Sequence, residues 1–148
     1  MSANKRSGKW ARRKARRALV QAVYQWQMAG ATSAELDAEF REGGALDNAD
    51  EAFFSEILGT VLHRTAELDA HIVPAIDREL RELDNVERAV LRLATCELAT
   101  RIDVPFRVVI DEYVELTRLF GAEDGHKFVN AVLDNIARSL RTAETGAT

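Results

Sequence analysis

Apolar residues recur along this chain at spacings of three and four, which is the period of an amphipathic α-helix. The first such stretch runs from Lys9 to Ala29, with its inward positions at Ala15, Leu19, Ala22, Val23 and Trp26. No stretch alternates with the period of two that is typical of a half-buried β-strand. The pattern therefore predicts an all-α protein with about seven helices.

Several helix ends carry recognisable signals. Thr32 and Glu35 have the spacing of a capping box and predict the start of a second helix. Asp84 or Asn85 is expected to cap a fifth helix, and Pro105 to open a sixth that ends at Phe120. The helices expected after the first cover residues 32–42, 48–74, 75–81, 85–101 and 105–120, and a last stretch that holds residues 129–140.

Length and composition favour a single globular domain. A chain of 148 residues buries roughly 68–70% of its unfolded surface without help from disulfides or metals. We expect a flexible basic tail over residues 1–8, one helical domain over residues 9–141 and a disordered tail over residues 142–148. The single cysteine, Cys96, cannot pair within the chain, and no apolar run approaches a membrane span or a secretion signal. These features favour the cytoplasm.

Charge is segregated along the chain. Residues 1–34 hold eight Lys or Arg and no acid, whereas the rest holds 12 Lys or Arg against 24 Asp or Glu. The basic end suits a polyanion, and the acidic body suits a basic protein.

The basic segment forms one face of the first helix. At 100° per residue, five of its cations span an arc of about 140° beside the apolar stripe, namely Lys9, Arg12, Arg13, Arg16 and Arg17. We expect these five to face solvent and bind RNA phosphates. Four to six such contacts predict a log–log salt slope of about −3 to −4 for a single strand. The alternatives are a solvated tail without a partner and a membrane-surface helix. The candidate cations are Lys9, Arg12, Arg13, Lys14, Arg16 and Arg17.

Phosphate contacts alone do not distinguish one RNA sequence from another. The best candidate for base recognition is the loop and helix start that holds Asp124, His126, Lys127 and Phe128. First-turn N–H groups at a helix start bind phosphate, and an exposed aromatic ring stacks on bases. Phe128 as a core-edge residue is the alternative, and the acidic Asp124 argues against a simple phosphate cradle.

Four segments together resemble the NusB family of bacterial transcription antitermination factors, in the family's order and spacing from about Arg12 to Ala137. They are ARRKARRALVQAVYQWQ, VERAVLRLATCEL, DVPFRVVIDEYVEL and FGAEDGHKFVNAVLDNIA. The resemblance implies two three-helix bundles packed roughly crosswise. It also implies binding of the boxA element of nascent ribosomal RNA together with NusE, the small-subunit ribosomal protein ten, alongside other Nus factors and RNA polymerase.

By the same resemblance, RNA contacts would fall on residues 12–17 and 124–128, and NusE contacts would include Tyr24 and Glu87. Tyr24 shares a helix face with Arg13 and Arg17, which suits an exposed interface residue. Glu87 lies in the first turn of the fifth helix, where the helix dipole favours an acid, so a capping role is the alternative.

Other residues give no support for an enzyme. Glu97 lies near the centre of an apolar arc, and we interpret it as a buried structural anchor rather than a general acid or base. The three histidines have no metal-ligand spacing with Cys96, which is expected to be a small core residue, and neither a metal nor a cofactor is predicted. Two other functions stay open: an RNA-recruiting domain that serves an RNA methyltransferase, and a protein–protein adaptor. A homodimer that covers the arginine helix is a further alternative.

Overall fold

A computed structural model describes the backbone of residues 2–147 and the side chains of residues 8–147. Within these limits the chain forms α-helices, short 3₁₀ turns and loops, without a β-strand. The all-α prediction is therefore confirmed. The α-helices of the described residues are α1 (Ser2–Ala29), α2 (Ser33–Glu42), α3 (Glu51–His63), α4 (Thr65–Ile72), α5 (Asn85–Thr100), α6 (Phe106–Phe120), α7 (Gly125–Leu140) and α8 (Thr142–Thr145).

The chain divides into two compact units, one ending at His63 and the other beginning at Arg64. In the first unit α1, α2 and α3 pack against one another, and in the second α5, α6 and α7 do the same. Each unit thus contains a three-helix bundle, as expected, and α4 packs on α5 within the second. The single domain predicted over residues 9–141 spans both units. That the two units form one domain stays a prediction.

Apolar faces set by the sequence spacing hold the first bundle together. Leu19 and Val23 of α1 are completely buried, as the spacing predicts. The rings of Phe40 in α2 and Phe54 in α3 lie 5.7 Å apart between centroids, a separation typical of favourable aromatic pairs. Trp26, expected to point inward, is only half-buried.

Local signals fix three of the helix starts. Thr32 Oγ1 accepts a hydrogen bond from the Glu35 amide at 3.1 Å, so the predicted cap of α2 is confirmed. Asp84 caps α5 by accepting from two first-turn amides at 2.9 and 3.2 Å. Pro105 occupies the cap position of α6, and this helix ends at Phe120 as predicted.

The predicted third helix over residues 48–74 is wrong in length. α3 ends at His63, and Arg64 breaks the helix with φ −119° and ψ 30° before α4 begins. Neither glycine nor proline marks this break, so the sequence carries no local signal for it. The helical turn expected over residues 75–81 is replaced by two 3₁₀ turns, Val73–Ala75 and Leu80–Glu82.

Helices extend further toward both ends of the chain than the sequence predicts. α1 begins at Ser2 rather than Lys9. The flexible tail expected over residues 1–8 stays a prediction, because the side chains of residues 1–7 lie outside the described part of the chain. Near the other end, Thr142–Thr145 form the single turn α8 within the stretch 142–148, for which disorder stays a prediction.

The guanidinium of Arg141 connects this turn with the end of α5. It is almost fully buried and donates to the carbonyl oxygens of Leu98, Val104 and Arg101 at 2.7, 2.9 and 2.7 Å. It also bonds to Glu144 of α8. These acceptors lie at and just beyond the C-terminal end of α5, where helix carbonyls lack partners and a cation is favoured by the helix dipole.

Candidate RNA-binding surfaces

The six cations of α1 whose side chains are described, Lys9 to Arg17, separate into two groups in the structure. Lys9, Arg13, Lys14 and Arg17 are exposed, and Lys14 Nζ also donates to the carbonyl oxygen of Asp47 at 3.0 Å. We call these four residues the cationic face of α1. Their exposure agrees with the expected placement of a basic face toward solvent.

Arg12 and Arg16 belong to the core edge instead. Their guanidinium carbons lie 4.7 and 5.2 Å from the centroid of the Phe53 ring, within range of a cation–π interaction. Arg12 also pairs with Asp50 at 3.4 Å. Only 3% of Arg16 is exposed. The expectation that Arg16 faces solvent is therefore wrong, and for Arg12 it is only partly met.

The physical reason is the width of the buried arc of α1. Val20 and Val23 are buried and lie four and seven residues after Arg16, so these three positions share one side of the helix. The predicted stripe omits Val20 and is too narrow as a result. An arginine at the edge of a buried stripe places its apolar stem inside and stacks its head on an aromatic ring.

Trp10 is a surface residue that the sequence-based prediction misses. It is 56% exposed, and the Arg13 guanidinium carbon lies 5.2 Å from its ring centroid. The signal in the sequence is its position, nine residues before Leu19, which places it about 180° from the centre of the buried stripe. It is an exposed aromatic ring within the cationic face.

The second predicted RNA segment lies at the start of α7, in the second unit. Asp124 occupies the N-cap position with a left-handed φ of 67° and makes no side-chain cap. Its carboxylate pairs with Lys127 at 3.3 Å. Two amides of the helix start, those of Gly125 and Lys127, already donate to backbone carbonyls at 3.1 Å. This pairing weakens the expectation that the helix start receives a phosphate, because fewer donors are available.

Phe128 is half-buried. This position agrees in part with an exposed stacking ring and in part with a residue at the edge of the core. The Arg78 guanidinium carbon lies 4.8 Å from its ring centroid. The ring also lines an open surface pocket of about 360 Å³. His126 beside it is partly exposed. The other residues of the pocket are Pro74, Ala75, Ile76, Asp77, Ala131, Val132 and Asn135.

The two predicted partner residues have different surroundings. Tyr24 is 39% exposed on the same side of α1 as Arg13 and Arg17. Glu87 is 9% exposed and does not cap α5, because Asp84 does. Burial, with a smaller contribution from the neighbouring charge of Asp84, raises the pKa of the Glu87 carboxyl above its usual range.

Glu97 and Cys96 lie in the core, and their surroundings indicate structural rather than catalytic roles. Glu97 is fully buried and accepts a hydrogen bond from the hydroxyl of Tyr113, as expected of a structural anchor. Cys96 is buried as predicted, and this burial raises the pKa of its thiol to about 11. Among the described residues no group of His, Cys, Asp and Glu has the geometry of a metal site. Nor does any helix of that part of the chain combine the length and apolarity that crossing a membrane requires.

A cluster of exposed cations along one helix face is typical of a protein that binds nucleic acid. The chain belongs to the NusB family, whose family model matches residues 13–138. It is 52% identical over 136 residues to the transcription antitermination protein NusB of Pseudomonas putida strain W619, covering 92% of this chain and 82% of that protein. It is 50% identical over 125 residues to the protein of the same name from Shewanella amazonensis, covering 84% and 93%. These relatives agree with the non-enzymatic interpretation.

Solved structures give the same result. T. maritima NusB superposes with a TM-score of 0.73 at 31% identity, covering 85% of this chain and 89% of that one. A crystal structure of the antitermination factors NusB and NusE in complex with dsRNA matches with a TM-score of 0.78 at 27% identity, covering 86% and 96%. The fold and the family inferred from the sequence are therefore confirmed.

Proposed function

We propose that this protein is a cytoplasmic transcription antitermination factor that binds the boxA element of nascent ribosomal RNA together with NusE. In this role it joins other Nus factors and RNA polymerase in a larger complex. The observation that carries the proposal is the cationic face of α1, where four exposed cations lie on a helix without a single acid. Such a face suits a chain of phosphates.

The proposal divides the work between two segments. The cationic face supplies affinity through phosphate contacts, for which arginine is well suited because its planar fork donates two parallel hydrogen bonds. The segment from Asp124 to Phe128, with Arg78 against the Phe128 ring, supplies contacts to bases. Tyr24 and Glu87 contribute to the NusE interface.

The relatives favour this function over an RNA-recruiting domain of a methyltransferase. The match extends over 82% and 93% of the two Pseudomonas and Shewanella proteins described above. Their name thus applies to proteins of about this size, not to one domain of a larger enzyme.

Anisotropy titration tests the proposal with a boxA-like RNA and a scrambled RNA, each with and without NusE. The variant R13A/R17A removes two exposed cations, so we expect weaker RNA binding and a log–log salt slope shallower by about 1.4. NusE binding should be retained.

The matched control is R81A/R118A, which removes two exposed arginines of the second unit and gives the same net charge. This control should bind RNA as the wild type does. Equal, weak binding of both RNAs in every condition would contradict the proposal. Unchanged RNA affinity of R13A/R17A would favour a protein–protein adaptor.

A further inference from the structure

We propose that Trp10 is a stacking platform for one unpaired RNA base, surrounded by the cations that bind the adjoining phosphates. This inference rests on the proposed function and assigns a base contact to α1, which otherwise supplies phosphate contacts only. The ligand is a single-stranded RNA segment, recognised by the flat face of a base and by its backbone charge.

The first support is the exposure of the ring. A folded chain usually buries most of a tryptophan, because its large apolar surface is costly to leave in water. Trp10 is nevertheless 56% exposed and points away from the stripe that includes Leu19. Packing of the first bundle therefore does not explain this side chain.

The second support is the set of neighbours. Arg13, Lys14 and Arg17 lie three, four and seven residues after Trp10, so they share its side of the helix within two turns. All three are exposed. Arg13 stacks against the ring at 5.2 Å, which restricts the ring's motion and orders it before RNA binds. A base on the ring would leave its flanking phosphates close to cations.

The chemistry favours a single strand over a duplex. Bases of a single strand are free to stack on a protein aromatic ring, and such stacking tolerates any base because every base has a π-face. Bases in a duplex already stack on one another and are not available. Trp10 should thus contribute to single-strand binding and not to duplex binding.

A protein partner or a lipid surface fits this position less well. Either would need further apolar contacts beside the ring, whereas the neighbours of Trp10 on this face within the described residues, Arg13, Lys14 and Arg17, are cations. The next exposed apolar residues along α1 are Tyr24 and Met28, about 21 and 27 Å further along the helix axis at 1.5 Å per residue. Trp10 is therefore isolated from them.

The experiment compares W10A, W10F and wild-type full-length protein in titrations of a short single-stranded RNA and a duplex of the same sequence. We expect W10A to lose about tenfold in single-strand affinity, with an unchanged salt slope, because stacking removes no counterions. Duplex affinity should not change, and W10F should recover most of the loss. M28A is the matched control, since Met28 is a similarly exposed apolar residue of α1.

Tryptophan fluorescence gives a second readout. Trp10 and Trp26 are the two tryptophans of the chain, so a W26F background makes Trp10 the sole reporter, and single-stranded RNA should quench its emission. Wild-type affinity of W10A for the single strand would overturn the inference and leave the proposed function intact. Loss of NusE binding with RNA binding retained would assign Trp10 to a protein interface instead. Wild-type protein that binds neither RNA would overturn both proposals.

Discussion

The carboxylate of Glu87 lies in surroundings that disfavour its negative charge. Its side chain is 9% exposed, and among the described residues none donates a hydrogen bond to it. A Cβ atom at position 125 would lie 3.3 Å from Glu87 Oε2, so the absence of a side chain at Gly125 leaves room for the carboxylate. Under the proposed function, this carboxylate would accept a hydrogen bond from NusE.

This position gives a pH-dependent prediction for E87Q. Because the pKa of Glu87 is raised by burial, its ionisation destabilises the fold as pH rises from its ordinary pKa of 4.5 through the raised value. E87Q lacks this cost. We expect E87Q to melt higher than wild type at pH 7, by a few degrees at most, and the difference to shrink as the pH falls toward 4.5. Thermal melts across this range measure it.

The control is E35Q. Glu35 is an exposed acid in the first turn of α2, where its charge is favourable to the helix dipole. E35Q should therefore have no stabilising effect at pH 7. Equal melting temperatures of E87Q and wild type at every pH would contradict the prediction for Glu87.

Single residues also show the limit of sequence reasoning. The helical wheel places Arg13, Arg16 and Arg17 on one face, yet Arg16 is buried against Phe53 while its neighbours are exposed. The contact joins residues 37 positions apart in the sequence, so no local pattern reveals it. The exposure of Tyr24 can be predicted from the sequence, because it depends only on the position of Tyr24 on the helical wheel of α1.

At the scale of helices, predictable boundaries are those with a signal in the adjacent sequence. The starts of α2, α5 and α6 follow from Thr32, Asp84 and Pro105, whose side chains act within one helical turn. The break at Arg64 and the turn α8 have no such signal. Tertiary contacts decide them, as the burial of Arg141 beside α8 illustrates.

Replacement of Arg141 should weaken the second unit. In R141K one ammonium group cannot reach the several carbonyl oxygens that the planar guanidinium contacts. We expect the free energy of unfolding to fall by about 2–3 kcal/mol, the cost of leaving buried acceptors unpaired. Urea titration measures this as a lower midpoint at an unchanged m-value.

The control for this substitution is R138K. Arg138 is exposed and lies one turn earlier on α7, so the same chemical change should alter stability by less than about 0.5 kcal/mol. A loss of equal size in both variants would show that the buried contacts of Arg141 are not the cause.

For the whole molecule, charge segregation assigns different partners to different ends. All eight charged side chains of the first 34 residues are positive, and the remainder has a net charge of −12. We therefore expect RNA to be attracted mainly to the first 34 residues and a basic protein mainly to the acidic remainder, while Tyr24, the proposed NusE contact in the basic segment, contributes an uncharged contact. This division follows from the sequence alone, whereas the choice of exposed cations needed the structure.

Titration calorimetry of a basic partner checks the charge argument. Partner affinity should fall as salt is raised. R13A/R17A changes the net charge from −4 to −6, so it should bind a basic partner at least as tightly as wild type. Weaker partner binding by this variant would contradict the assignment of separate ends to RNA and protein.

The contacts of Arg141 also constrain the order in which the chain acquires its structure during synthesis. Its carbonyl acceptors precede it by 37 to 44 residues. At roughly 5–20 residues per second on the ribosome, these acceptor residues are synthesised about two to nine seconds before Arg141. The helices that end by His63 emerge before any of them. We therefore expect water to solvate the carbonyl oxygens at the end of α5 until Arg141 has been synthesised, so that the hydrogen bonds of its guanidinium form late in the folding of the second unit.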